Sequence, residues 1–372
     1  MLGIFLFFPT VFSFFQNPNP QILLSGLGFP RKEVIGFLPY WQLETAKTDY
    51  SKYITTLAYF GFSINGDGTI DKFANPQQLE PGWNAFVSGK LTPFLTAAKK
   101  EHLTLSLVLS TGNNAVINTL IQNPKQHAKN VVKDIEPIMQ QNEFSDVNLD
   151  IEYTAQASST ARKNFTTFIT AVKKDLPQNQ TLTVEVMSTD AVKPNLIDIQ
   201  AVGKIADHIV VMAYDYHSPT SFVTGPVAPL SGAGKDSEYD VTTAIEKTIA
   251  VVNAQKVILG LPLYGYAWES LTPFARSAVI AGSGDIASNH RAEAFLQSCA
   301  TCSAQLDREA QELHISYFDT DTNTYQQFFV PTSTATQAKV QLATKENLGG
   351  LALWALGYEG TTILHPLTKY IQ

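Results

Sequence analysis

The chain has 372 residues, 44% hydrophobic and only 16% charged, which excludes a disordered polymer and calls for a large buried core. The formal net charge is −7 and no Lys/Arg run is long, so a nucleic-acid surface is excluded and a neutral or cationic substrate is weakly favoured.

The N-terminus, MLGIFLFFPTVFSFF, is almost wholly apolar, and no charged residue precedes Arg31. The run is short for a membrane span, and it lacks the basic start and small-residue cleavage site of a secretory leader. The linker-like QNPNPQILLSGLGFPRK that follows nonetheless favours an export signal or anchor over a buried first strand. Residues 1–31 are therefore read as signal or anchor plus linker, and 32–372 as the folded domain. A secreted or cell-envelope location is expected, with N-terminal membrane association in the anchored case.

From Glu33 onward, eight short apolar runs recur: 33–38, 54–62, 103–109, 146–152, 181–187, 207–214, 256–263 and 349–356. Most are apolar on both faces, as in parallel strands covered by helices. Amphipathic segments separate them. AKNVVKDIEPIMQQ (128–141) and SSTARKNFTTFITAVKKDL (158–176) place apolar residues at helical spacing, with Ser158, Ser159 and Thr160 as caps for the second. VTTAIEKTIAVVNA (241–254) and ATQAKVQLATKENLG (335–349) do likewise, and Gly349 stands where the last helix should stop. Eight strand–helix repeats predict an α/β fold, a (β/α)8 TIM barrel. A doubly wound sheet is the rival, but no GxGxxG follows the first strand.

The gap between strands seven and eight exceeds a single helix. It predicts a small α+β insertion at roughly 269–330, with a helical RAEAFLQSCATCSAQLDREAQEL and a strand-like ISYFDTDTNTYQQFFV. Cys299 and Cys302 lie in this gap without a second ligand pair, so a local disulfide or two free thiols is expected ahead of a zinc site. The NxT sequons at Asn164 and Asn179 are read as chance.

The fourth run, FSDVNLDIEY (144–153), alternates aliphatic and polar residues. Asp146, Asn148, Asp150 and Glu152 share one face, about 6.6 Å apart in succession. In a barrel that face is the interior, and Glu152 closes the run at the carboxyl end, where barrel active sites lie. Neighbouring buried carboxylates cannot comfortably both ionise, so one keeps a proton, as a general acid requires. A polar layer satisfied by neighbouring Ser, Tyr and Asn is the bland alternative. Asp146 is unexplained: a bottom-layer residue with an ion-pair partner, or one that precedes the regular strand.

These residues resemble a known signature. FSDVNLDIE is similar to the DxxDxDxE of glycoside hydrolase family 18, the chitinase-like barrels, with Ser145, Asn148, Asp150 and Glu152 at the four positions. Ser145 and Asn148 replace two Asp residues, and Asp146 stands where Gly is usual. LSTGN on strand three resembles SxGG through Ser110 and Gly112. VVMAYDYH on strand six matches through Met212, Tyr214, Asp215 and Tyr216, and GPVAPL follows it. ILGLPLYGYAW on strand seven and GGLALWALGYE on strand eight, with Trp354, complete the likeness over about 30–360.

The resemblance implies a retaining hydrolase in which the substrate's own N-acetyl oxygen attacks. Glu152 is implied as general acid/base, Asp150 as the group that orients the acetamide, and Tyr214 as its hydrogen-bond donor. Asn148, Met212, Asp215, Tyr216 and Trp354 are implied substrate-site residues, and Tyr40, Phe60, Ser110 and Tyr264 complete the expected set. Plain core remains the alternative for Met212 and barrel filling for Trp354. The implied partner is an N-acetylglucosamine-containing polysaccharide, either chitin and its oligomers or peptidoglycan. The C-terminal GGLALWALGYEG looks closer to bacterial spore-cortex and cell-wall hydrolases than to animal chitinases. No cofactor or metal is expected, and a monomer is. The rivals are a sugar-binding lectin, which usually lacks the final Glu, and a non-hydrolytic cell-wall scaffold. Because Asn cannot ionise, Asn148→Asp should keep activity but alter the acidic side of the pH–rate curve; curves that overlay would refute this.

Overall fold

The computed structural model describes residues 32–235 and 239–372. The expectations for residues 1–31 lie outside the described residues. Eight parallel strands close a barrel: β1 (Glu33–Pro39), β2 (Thr56–Ser63), β3 (Thr104–Thr111), β4 (Asp146–Ile151), β5 (Thr181–Met187), β6 (His208–Met212), β7 (Val257–Pro262) and β8 (Gly350–Trp354). Neighbours in sequence pair around the ring, and β8 closes on β1 with Glu33 opposite Gly350 and Gly36 opposite Leu353. Helices connect the strands, as expected of a TIM barrel.

Alternation along each strand sends one row outward to the helices and one row inward. The outward rows, such as Val147, Leu149 and Ile151 on β4, join the large apolar layer beneath the helices. The inward rows divide the interior. Ile35, Phe37, Ala58, Val108, Val210, Ile258 and Ala352 form an apolar cluster from β1, β2, β3, β6, β7 and β8. On β4 and β5 the same face carries Asp146, Asn148, Asp150, Thr183 and Glu185, all buried. One side of the barrel is thus packed hydrocarbon, and the other is an acid seam.

The foot of that seam corrects the expectation for Asp146. β4 is regular from its first residue, with Asp146 in register with Ser106 and Thr181. Its partners are hydroxyls rather than a cation: Ser106 Oγ at 2.6 Å, Thr181 Oγ1 at 2.6 Å and Thr183 Oγ1 at 3.0 Å. Three donors make its burial tolerable without an opposite charge.

Several element ends also differ. The helix expected to begin at 128 starts at Pro124, because proline suits a first helical turn. Ser158 caps the next helix as expected, accepting from the Ala161 N–H at 3.1 Å. The helix expected over 241–254 ends at Ile249. The last long helix ends at Lys345, and Asn347, at φ 51°, takes the left-handed turn expected of Gly349. Gly349 serves a close approach instead: a Cβ there would lie 2.3 Å from the Gln255 carbonyl oxygen.

Between β7 and β8 the chain builds a five-stranded antiparallel sheet, ordered 285–288, 264–270, 324–330, 312–319 and 303–307. The expected helix over 291–313 is only partly present. It spans Asn289–Ser298, Cys299 and Cys302 form a disulfide, and Ser303–Asp307 is a strand. Asp307 then accepts the Glu309 and Ala310 N–H groups, and this local bonding favours a turn over helix. Within this region Glu312 and Lys339 are buried 3.8 Å apart. Glu312 also accepts the Val227 and Ala228 N–H groups at 2.9 and 2.7 Å, which ties the insertion to the segment following β6.

Candidate active site

The site begins where β4 ends. The Glu152 N–H donates to the Thr111 carbonyl at 3.0 Å, which holds the chain beside β3 as it leaves the barrel. Glu152 is exposed at this rim, whereas Asp150, one pleat below, is buried at 5% exposure. Burial raises both carboxyl pKa values; Glu152 adds to the effect on Asp150, and Asp215 to that on Glu152. The shift is in the direction that general acid chemistry needs, towards the protonated carboxyl.

Tyr214 and Asp215 follow β6. Burial, then the charges of Glu185, Asp150, Asp215 and Glu152, hold the Tyr214 phenol well above its usual range, so it remains a hydrogen-bond donor. Asp215 sits at φ 60°, an uncommon conformation outside glycine. Its Oδ1 accepts from Tyr264 Oη at 2.5 Å and Tyr266 Oη at 2.7 Å. These bonds oppose the upward push that burial gives its pKa. Both tyrosines stand on strand Tyr264–Ser270, which runs from β7 into the inserted sheet.

Residues 33–359 match the family model described as Glycosyl hydrolases family 18. The chain belongs to glycosyl hydrolase family 18. It is a glycoside hydrolase of the chitinase-like kind. It is 26% identical over 334 residues to the cortical fragment-lytic enzyme of Bacillus anthracis, covering 85% of this chain and 67% of that protein. It is 24% identical to the putative sporulation-specific glycosylase YdhD of Bacillus subtilis, over 83% and 67%. Among solved structures, the Ostrinia furnacalis Group IV chitinase in complex with allosamidin superposes with a TM-score of 0.77 at 20% identity, covering 91% of this chain and 97% of that one.

Beside the acid seam, the family 18 chain has an aromatic wall. Trp354, at the end of β8, meets Phe60 at 4.8 Å, Phe37 at 5.9 Å and Trp41 at 6.2 Å between ring centroids. Tyr40 packs edge-on against Trp41 at 4.9 Å. Trp41 is 44% exposed and donates from Nε1 to Tyr358 Oη. Tyr358 in turn meets the Tyr264 ring at 6.2 Å, which joins the wall to the Asp215 pair. Aromatic faces with one wet edge are suited to sugar rings.

The remaining candidates divide. Ser110 pairs in register with Asp150 across β3 and β4. Met212 lines a small cavity with Glu185, Met187, Asp190 and Tyr153. Tyr216 is not brought to the carboxylates: its N–H donates to the Val227 carbonyl, and its phenol faces Ser188 and Asp240. Neither polar atom of the Asn148 amide has a partner at hydrogen-bond distance among the described residues. The amide still lies close enough to Glu185 to ease that group's ionisation.

Three site residues escaped the sequence reading. Glu185 occupies the same inward face of β5 as Thr181 and Thr183, a period-two polar row like that of β4. Tyr266 repeats Tyr264 two residues on, the spacing of one strand face. Trp41 adjoins Tyr40 immediately after β1. A cleft of about 600 Å³ also opens beside the segment that follows Glu152, lined by Tyr153, Gln156, Met187, Asp190, Lys193 and Asn195.

Proposed function

We propose that the enzyme cleaves β-1,4 bonds beside N-acetylglucosamine residues in chitooligosaccharides, with retention and with the substrate acetamide as nucleophile. The observation that carries this reading is the convergence of Asp150, Glu152, Tyr214 and Asp215, whose charges act on one another at one end of the barrel. A second protein carboxylate nucleophile is unnecessary in this chemistry. Glu152 protonates the leaving glycosidic oxygen and then deprotonates water. Asp150 aligns the acetamide N–H and offsets the positive charge that develops on it. Tyr214 donates to the acetamide oxygen and brings it towards the anomeric carbon. Asp215, gripped by two tyrosines, helps shape the sugar subsite, and Trp354 with Trp41 offers ring faces for stacking. The cleft by Tyr153 receives the leaving part of the chain.

Peptidoglycan glycan strands are the second reading, favoured by the names of the Bacillus relatives. Export to the cell envelope and monomeric action suit either polymer. Incubation with an N-acetylglucosamine tetramer and, separately, with purified peptidoglycan tests both. Freshly released reducing ends should be β-anomers by NMR. Binding without release from either polymer would mean a lectin, and α-anomers would refute substrate-assisted retention.

A further inference from the structure

Besides Asp146, which three hydroxyls satisfy, the acid seam contains one carboxyl to which the roles above give no work. Glu185 on β5 is 4% exposed, and the parallel register that sets Asn148 opposite Thr183 brings Glu185 beside Asp150 one step along. The titratable groups facing it are Asp146 and Asp150 from β4, Glu152 just past its end, Tyr214 from the end of β6, and Asp190 across the small cavity. Glu185 Oε1 and Asp150 Oδ1 are both buried without a hydrogen-bond donor among the described residues. Asp146, at the foot of the seam and equally buried, has three hydroxyl donors. Two neighbouring carboxylates that each bury one oxygen without a donor carry a desolvation cost, and a shared proton relieves it. Asn148 cannot supply or take that proton, although an Asp is usual at its position in the family signature.

We propose that Glu185 is a positioning residue for Asp150: the two buried carboxyls hold one proton between them, and Glu185 keeps it while Asp150 bears the charge that faces the acetamide. The carboxyl missing from position 148 is thus provided by the neighbouring strand. As positive charge builds on the acetamide, the proton leaves an Asp150 oxygen for a Glu185 oxygen, and it returns when that charge is discharged. The pair keeps one net negative charge throughout, and no other bond changes. Burial, together with the Asp150 charge, raises the Glu185 pKa well above the usual carboxylate range, as proton retention requires. The inference rests on the role proposed above for Asp150.

The test compares Glu185→Gln, Glu185→Asp and the double variant Asn148→Asp/Glu185→Gln on a chitooligosaccharide across pH. Glu185→Gln should lower kcat by about 10- to 100-fold with KM nearly unchanged, because Asp150 then ionises alone and no carboxyl remains to return its proton when the acetamide charge is discharged. The acidic limb of its pH–rate curve should move about one unit lower, since removing a like charge eases Asp150 ionisation. Glu185→Asp should be intermediate, and the double variant should regain most of the lost kcat by returning a carboxyl to β4. Infrared difference spectra of the free enzyme should show a protonated-carboxyl band that Glu185→Gln removes. A Glu185→Gln enzyme with native kcat and native pH curve would overturn the proposal. So would a double variant no faster than the single one, or infrared spectra in which Glu185→Gln removes no protonated-carboxyl band. If the native enzyme leaves the oligosaccharide uncut, the substrate reading fails instead, and the infrared band alone decides for or against proton sharing.

Discussion

Glu152→Gln should lower kcat by about 10²- to 10⁴-fold while chitooligosaccharide affinity is preserved. Gln matches Glu in shape and can still accept a hydrogen bond, but it carries no proton for a leaving oxygen. Glu152 lies at the exposed rim, where the substitution costs little packing. The loss should therefore fall on kcat, and KM or a calorimetric Kd should stay close to native. The pH dependence follows from the raised Glu152 pKa. The native enzyme needs the protonated form, so turnover should persist above the ordinary carboxylate range and decline as pH rises through the raised value. That basic limb should vanish from the residual activity of the Gln variant. Native turnover in Glu152→Gln would remove the general acid from the mechanism, and an equal loss of binding would recast the residue as a substrate contact.

Glu312→Ala should destabilise the fold by about 3–5 kcal/mol. Lys339 is 1% exposed and Glu312 fully buried, so truncation strands a cation in the interior. It also removes the acceptor of the Val227 and Ala228 N–H groups, which would have to find other partners. Burial already raises the Glu312 pKa and lowers that of Lys339, so each charge is held only through its partner. Urea unfolding measures the loss. Replacing both members, as Glu312→Gln with Lys339→Met, should recover much of it, because the cost lies in the unpaired charge. A Glu312→Ala protein within about 1 kcal/mol of native would show that water reaches the lysine.

The barrel was legible because strand runs buried on both faces are continuous in sequence, and eight of them recur with amphipathic helices between. Asp150 and Glu152 were legible because their meaning is local to one strand. What lay hidden depends on register between strands. Glu185 reads as one polar residue in TLTVEVM until β5 is laid beside β4, and Asp146 has no evident partner until Ser106 and Thr181 flank it. Tyr216 joins Tyr214 in the family-like VVMAYDYH motif, yet its ring turns towards Ser188 instead. The overlong helix at 291–313 failed where the disulfide and the Asp307 turn broke a pattern that composition alone leaves helical.

The two tyrosines that grip Asp215 stand on the first strand of the inserted sheet. The insertion is therefore no detachable cassette. A lineage that trimmed it would have to rebuild the support of Asp215 at the same time, whereas its far edge, at strand 303–307, is mostly exposed. Inheritance in this barrel should be conservative at the root of the insertion and permissive at its tip.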